Sequence, residues 1–83
     1  MADLTMFAAD WCSDCRRSKR LLDALGVAYL YRDVEEDPSA ADEAELVSGR
    51  KSIPVIVFPD GHILVEPSDA ELEADLRAGG LLG

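Results

Sequence analysis

Cysteine and histidine are both scarce in this sequence, which has only Cys12, Cys15 and His62. A structural zinc site takes four ligands, and these three residues fall short of that number. A disulfide between Cys12 and Cys15 would close too short a loop to remove much entropy from the unfolded chain. The sequence therefore argues against a fold held together by zinc or by disulfides.

Basic residues and long apolar runs are also in short supply. Lysine and arginine total 8 against 17 aspartates and glutamates, a formal net charge of −9 at pH 7. Nucleic-acid backbones and anionic membranes bind clustered basic side chains, so we expect neither as a partner. No apolar run approaches a membrane span, and no basic segment followed by an apolar one opens the chain. We therefore expect a soluble, unexported protein, with the cytoplasm as its default location.

Hydrophobic patterning over the 83 residues predicts one small domain, residues 1–83, with the element order β-α-β-α-β-β-α. Strands are predicted at 2–8, 27–33, 53–58 and 63–65, and helices at 13–25, 38–48 and 69–78. Local signals support the boundaries: Asp37 as a helix cap, Gly49 as a stop, and Ser68 with Glu71 as a capping box. The predicted inner faces of the three helices are Cys15, Ser18, Leu22 and Leu25; Ala40, Ala41, Ala44 and Val47; and Leu72 and Leu76.

The two cysteines are three residues apart, between a strand-like and a helix-like segment. A C-x-x-C in such a place is typical of redox chemistry. If the helix begins at about Ser13, the Cys12 sulfur lies over unpaired backbone N–H groups at the positive end of the helix dipole, which favours the thiolate. Cys12 is therefore the predicted nucleophile. Cys15, one turn later on the same face, is the predicted resolving thiol.

Charged residues near the pair act in opposite directions. Arg16 and Arg17 would favour a thiolate, whereas Asp10 and Asp14 would oppose it. The residue types leave the sign of the net effect open, and the nearby arginines are the only compensation that the sequence offers for Asp14.

The element order and three motifs resemble the thioredoxin fold in its short glutaredoxin form. The motifs are residues 11–15 (WCSDC), residues 52–54 (SIP, similar to the family's Thr-Val-Pro) and Ser68-Asp69 opening the last helix. The resemblance implies an α/β, thioredoxin-like fold with a four-stranded mixed sheet flanked by three helices. It also implies a thiol-disulfide oxidoreductase that acts on disulfide-containing or thiolated proteins.

The resemblance also implies a wall opposite the cysteines. In that family the proline is cis, and the residue before it presents its backbone N–H and C=O to the bound thiol, so Pro54 and Ile53 inherit these expectations. The other candidates for contact with the thiol or the protein substrate are Trp11, Arg17, Ser68 and Asp69.

Two departures from the family pattern bear on the choice of small thiol. Members that use glutathione usually carry a lysine three residues before the first cysteine and Gly-Gly before the last helix. Here these positions hold Ala9 and Glu66-Pro67. Mycoredoxins lack that lysine more often, and Pro67-Ser68 before an acidic helix is similar to them. The favoured co-substrate is therefore mycothiol, whose sugar part is uncharged, rather than glutathione.

Two reaction routes and two alternative functions stay open. In a monothiol route a second small thiol releases Cys12; in a dithiol route Cys15 resolves the intermediate, and a thiol pool or a flavoprotein reductase reduces the resulting disulfide. One alternative is an electron donor to ribonucleotide reductase or a peroxidase, recycled by a thioredoxin-type reductase. The other is an iron-sulfur cluster carrier that shares its cluster across a dimer. We expect a monomer without a bound metal or cofactor.

Overall fold

A computed structural model describes residues 4–82 of the chain. Its seven elements follow the predicted order: β1 Leu4–Ala8, α1 Ser13–Ala24, β2 Tyr29–Asp33, α2 Pro38–Ser48, β3 Val55–Val57, β4 Ile63–Val65 and α3 Asp69–Ala78. The strands form one four-stranded mixed sheet, as predicted, and their order in it is β2-β1-β3-β4. The predicted start of the first strand at Ala2 lies outside the described residues. Within residues 4–82, no helix is long and apolar enough to cross a membrane.

The register of the sheet decides which segments meet at one of its ends. β1 and β2 are parallel, whereas β1–β3 and β3–β4 are antiparallel. Because β3 runs against β1, its first residue Val55 lies opposite Phe7, near the end of β1. Val55 also lies opposite Val65, the last residue of β4. This end of the sheet therefore collects the segment after β1, Pro54 before β3, and Glu66 after β4.

The two faces of the sheet carry separate buried clusters, because successive strand side chains point to opposite faces. The cluster on the α1 and α3 side includes Leu4, Met6, Cys15, Leu22, Ile56, Leu72 and Leu76. The cluster on the α2 side consists of Phe7, Ala40, Ala44 and Val55. Cys15 thus belongs to the core, and the prediction that it faces inward is confirmed.

The helix boundaries agree with the capping signals in the sequence. Asp37 caps α2 by accepting from the Ser39 backbone N–H, and Gly49 ends it in a left-handed conformation at φ 79°. Ser68 and Glu71 form the predicted capping box of α3. The prediction that Val47 faces inward is wrong, since 42% of it is exposed. The buried residues of α2, Ala40 and Ala44, lie in its first two turns, so its last turn reaches solvent.

His62, which lies in the β3–β4 hairpin, contacts both the turn of that hairpin and α3. Its Nδ1 lies 2.6 Å from Asp60 Oδ1 and its Nε2 lies 3.3 Å from Asp75 Oδ2. Its ring stacks on Phe58 with 4.1 Å between centroids. The hydrogen bond with Asp60 raises the pKa of His62, and Asp75 adds to the rise. His62 therefore links the β3–β4 hairpin to α3.

Ser18 is a polar residue placed wholly inside the core, on the inner face of α1. Its Oγ has no hydrogen-bond partner among the described residues. An unpaired buried hydroxyl costs about 1–3 kcal/mol. We therefore expect Ser18→Ala to raise the free energy of unfolding by about 1 kcal/mol, as measured by urea denaturation.

Ser48 offers a matched control for that substitution. Its Oγ donates to Ala44 O at 2.7 Å and lies 2.8 Å from Arg50 O. Ser48→Ala removes a satisfied hydroxyl and should lower stability by about 0.5–1 kcal/mol. A loss of stability in Ser18→Ala as well would contradict the assignment of an unpaired Ser18 hydroxyl.

Candidate active site

Cys12 is the N-cap of α1, so the helix begins where the sequence predicted. Its backbone is extended (φ −82°, ψ 119°), and its Sγ accepts a hydrogen bond from the Cys15 backbone N–H at 3.2 Å. The Cys12 N–H donates to Ala9 O at 3.2 Å, which closes the turn between β1 and α1. The sulfur thus lies at the positive end of the helix dipole, in contact with an N–H that the helix leaves unpaired.

Cys15 lies in a very different environment from Cys12, although both are free thiols. Cys15 is 1% exposed and packs in the core, whereas Cys12 is half-buried. Burial raises the pKa of the Cys15 thiol to about 12, and the hydrogen bond with Cys12 contributes to the rise. A backbone hydrogen bond with Ala9 opposes part of this effect. The two thiols are therefore unequal: the Cys12 thiol is accessible, whereas the Cys15 thiol is held protonated.

A groove of about 400 Å³ opens beside the Cys12 sulfur. Its lining includes Trp11, Cys12, Asp14, Lys51, Ile53 and Glu66. The Ile53–Pro54 peptide bond is cis, as the resemblance implied, and Pro54 itself is buried. The groove thus contains the segment before β3 and the residue after β4, as the register of the sheet requires.

Trp11 stands at the rim of this groove with 65% of its surface exposed. Its indole Nε1 donates to Glu35 Oε2 at 3.3 Å, a contact across the loops that follow β1 and β2. An exposed indole held in this way offers a flat apolar face beside the thiol. This agrees with the expected exposure of Trp11.

Arg17 is engaged with carboxylates and does not line the Cys12 groove. Its guanidinium lies 3.2 Å from Asp14 Oδ1 and 3.4 Å from Asp69 Oδ1, and donates to Pro67 O at 3.4 Å. Asp14 therefore pairs with one of the nearby arginines, which compensates part of its charge. Ser68 also does not line the groove. Its hydroxyl accepts a hydrogen bond from the Glu71 backbone N–H and so caps α3. Of the residues predicted to contact the small thiol, Trp11 and Ile53 line the same groove as Cys12. Pro54, which follows Ile53, is buried.

Comparison with known proteins settles the class of molecule. The glutaredoxin family model matches residues 4–63. The chain belongs to the glutaredoxin family. Glutaredoxins act on disulfide-containing or thiolated proteins together with a low-molecular-weight thiol, and this member is a thiol-disulfide oxidoreductase, as predicted.

Individual relatives agree with this assignment. A Mycobacterium tuberculosis protein with the provisional name glutaredoxin is 37% identical over 76 residues, 90% of each chain. Mycoredoxin 1 of Corynebacterium glutamicum is 33% identical over 79 residues, 94% of this chain and 98% of its own. The crystal structure of a glutaredoxin from Archaeoglobus fulgidus matches with a TM-score of 0.83 at 22% identity, covering 93% of this chain and 88% of that one. The thioredoxin-like fold class is thereby confirmed.

Two features of this glutaredoxin's site were not predicted from the sequence. Tyr31, assigned only a packing role, donates from its hydroxyl to Asp10 Oδ1 at 3.1 Å, and burial followed by this hydrogen bond raises the Tyr31 pKa. Glu66 has a positive φ of 51°. The local sequence does not predict this conformation, because glycine is the residue that usually adopts it. The alternation of Tyr29 and Tyr31 on β2 was the only available signal for the first feature.

Proposed function

We propose that the protein reduces mixed disulfides between proteins and a small thiol, with Cys12 as the nucleophile and mycothiol as the favoured thiol. One observation carries this function: the Cys12 sulfur is accessible, caps α1 and accepts a backbone N–H at 3.2 Å. A donor and a positive dipole end directed at a sulfur stabilise its thiolate, which is the nucleophilic form.

The reaction begins when the Cys12 thiolate attacks the small-thiol sulfur of a mixed disulfide. A Cys12–small-thiol disulfide forms, the original S–S bond breaks, and the protein thiol leaves as a thiolate that takes up a proton. A second small thiol, as its thiolate, then attacks the adduct on the small-thiol sulfur. It releases the Cys12 thiolate and forms the oxidised small-thiol dimer, so the sum of the two exchanges is protein–S–S–R + RSH → protein–SH + R–S–S–R, with one free small thiol as the reductant.

The protonation of Cys15 favours this monothiol route over resolution by Cys15. Burial, the largest cause of the raised Cys15 pKa, remains when Cys12 carries the adduct, so most of the Cys15 thiol is protonated at pH 7. A small thiol with a pKa nearer to neutrality supplies far more of the attacking species. We therefore propose that Cys15 supports the Cys12 environment and is dispensable for turnover.

The charges around the groove favour mycothiol over glutathione. Ala9 supplies no cation at the position where glutathione-using members carry a lysine, and the groove lining has two carboxylates, Asp14 and Glu66, against one cation, Lys51. Glutathione carries two carboxylates, whereas the sugar part of mycothiol is uncharged. The similarity to a protein named mycoredoxin 1 supports the same choice.

A comparison of thiols on one reporter protein tests this assignment. The reporter is loaded with mycothiol or with glutathione, and each form is reduced with an excess of the matching thiol. We expect kcat/KM for the mycothiol pair to exceed that for the glutathione pair by about tenfold or more, which corresponds to about 1.4 kcal/mol. Equal or reversed values would contradict the thiol preference. Turnover with a thioredoxin-type reductase and with neither thiol would support the electron-donor alternative instead.

A disulfide reductase with free thiols needs reducing surroundings. We therefore propose that the protein acts in the cytoplasm, as a monomer whose single groove serves one substrate at a time.

A further inference from the structure

We infer that Glu66 is a specificity-determining residue of the Cys12 groove, selecting disulfides that carry a positive charge beside the reacting sulfur over those that carry a negative one. The inference rests on the proposed role of Cys12 as the nucleophile. It goes further by assigning the charge of the preferred substrate to one side chain.

The placement of Glu66 follows from the register of the sheet. Glu66 directly follows β4, and its backbone N–H donates to Pro54 O at 2.9 Å. This bond fixes Glu66 to the wall that faces Cys12, and Glu66 lines the groove. A substrate disulfide bound in the groove beside Cys12 therefore shares that groove with Glu66.

The charge of Glu66 is available to a substrate. Among residues 4–82, its carboxylate makes no hydrogen bond or ion pair, whereas the other carboxylate of the groove, Asp14, is paired with Arg17 at 3.2 Å. The chain as a whole carries a net charge of −9, which also attracts cationic substrates and repels anionic ones, at longer range. Glu66 is thus the uncompensated negative charge nearest to Pro54 in the groove lining.

The backbone at Glu66 gives an independent reason to look for a role of its side chain. Its φ of 51° lies in the left-handed region, where glycine is accommodated without steric cost and residues with a Cβ are uncommon. Residues held in such conformations cluster at ligand sites. A glutamate at this position is unfavourable for the backbone alone, which agrees with a function for the carboxylate.

Lys51 supplies the opposite charge at a different part of the groove. It lies three residues before Pro54 and also lines a neighbouring cavity of about 290 Å³ with Arg50. Lys51 makes no ion pair within the described chain. It therefore provides a natural counter-test, because neutralising it should shift the charge preference in the opposite direction.

Three small symmetric disulfides of similar length test the inference: cystamine with two ammonium groups, bis(2-hydroxyethyl) disulfide with none, and dithiodipropionate with two carboxylates. Each is mixed with reduced protein in the Cys15→Ala background, and the single-turnover rate of adduct formation is followed by mass spectrometry. In each case Cys12 forms one S–S bond, the substrate S–S bond breaks, and the leaving thiolate is protonated. The quantity compared is the ratio of the cystamine rate constant to the dithiodipropionate rate constant.

We expect Glu66→Gln to lower this ratio by about three- to tenfold, and the neutral disulfide reports any change in Cys12 reactivity that is common to all three substrates. Lys51→Gln should raise the ratio. Glu73→Gln, which removes an exposed carboxylate on α3 outside the groove lining, should change it by less than about twofold. The effect of Glu66→Gln should also diminish at high salt, because counterions screen an exposed charge.

The outcomes separate this inference from the proposed function. An unchanged ratio in Glu66→Gln, with normal reaction of the neutral disulfide, would overturn the role of Glu66 and leave Cys12 as the nucleophile. Failure of all three disulfides to form an adduct at Cys12 would overturn the proposed function itself. An equal fall of all three rates in Glu66→Gln would indicate a structural role at the positive-φ position, and would also overturn the inference.

Discussion

Cys12→Ser should abolish turnover of mixed disulfides, with a fall of at least about 10³-fold, whereas Cys15→Ser should retain turnover within about threefold of the unchanged protein. The difference follows from the environments of the two sulfurs. Cys12 is accessible and caps a helix, while Cys15 is buried and its pKa is raised to about 12. Steady-state reduction of a thiolated reporter protein measures both effects.

The controls for this pair of variants follow from packing. Serine is a good N-cap residue, so Cys12→Ser should fold normally. Cys15→Ser places a hydroxyl in the core, at a cost of about 1–3 kcal/mol if it stays unpaired. Cys15→Ala avoids that hydroxyl and should also retain turnover. Loss of turnover in both Cys15 variants, with a trapped adduct on Cys12, would show that the dithiol route operates instead.

Features set by neighbouring residues in the chain were predictable from the sequence. The Asp37 cap, the Gly49 stop and the capping box at Ser68 each depend on groups within four residues of one another, and all three were confirmed. The position of Cys12 at the start of α1 belongs to the same class. A helix terminus is encoded locally, so the chemistry that depends on it can be predicted before any packing is known.

Features that depend on distant parts of the chain were not predictable in this way. The pairing of Arg17 with Asp69 joins residues 52 positions apart, and the contact of His62 with Asp75 depends on how α3 packs against a hairpin. The hydrogen bond from the Glu66 N–H to Pro54 O likewise joins residues 12 positions apart, one just after β4 and the other just before β3. Hydrophobic periodicity indicates which face of an element is buried, but the polar partners at its ends are set by tertiary packing.

These distant contacts complete the site. The start of α1 supplies the Cys12 thiol, but the wall opposite it comes from the antiparallel pairing of β3 with β1 and β4. The same pairing places Glu66 at the groove. The thiol therefore comes from residues 11–15, whereas the other side of the groove comes from residues 51–66, which reach the thiol only in the folded sheet.

The attack of Cys15 on a Cys12 adduct should accelerate about tenfold per pH unit between pH 7 and pH 9. Formation of the adduct removes the Cys12 thiol from the hydrogen bond that helps to raise the Cys15 pKa, but burial, the largest cause, remains. The Cys15 pKa should therefore stay above its ordinary value of 9.0, and the thiolate fraction should rise throughout this range.

Stopped-flow reaction of the reduced protein with an aromatic disulfide measures this step directly. The first coloured thiol released reports the attack by Cys12, and the second reports resolution by Cys15. Aromatic thiols are acidic, so their departure adds little pH dependence of its own. Cys15→Ala should release only the first thiol, which identifies the second phase. A resolution rate that levels off below pH 9 would mean that Cys15 ionises as readily as a free thiol, and the preference for the monothiol route would then lose its physical basis.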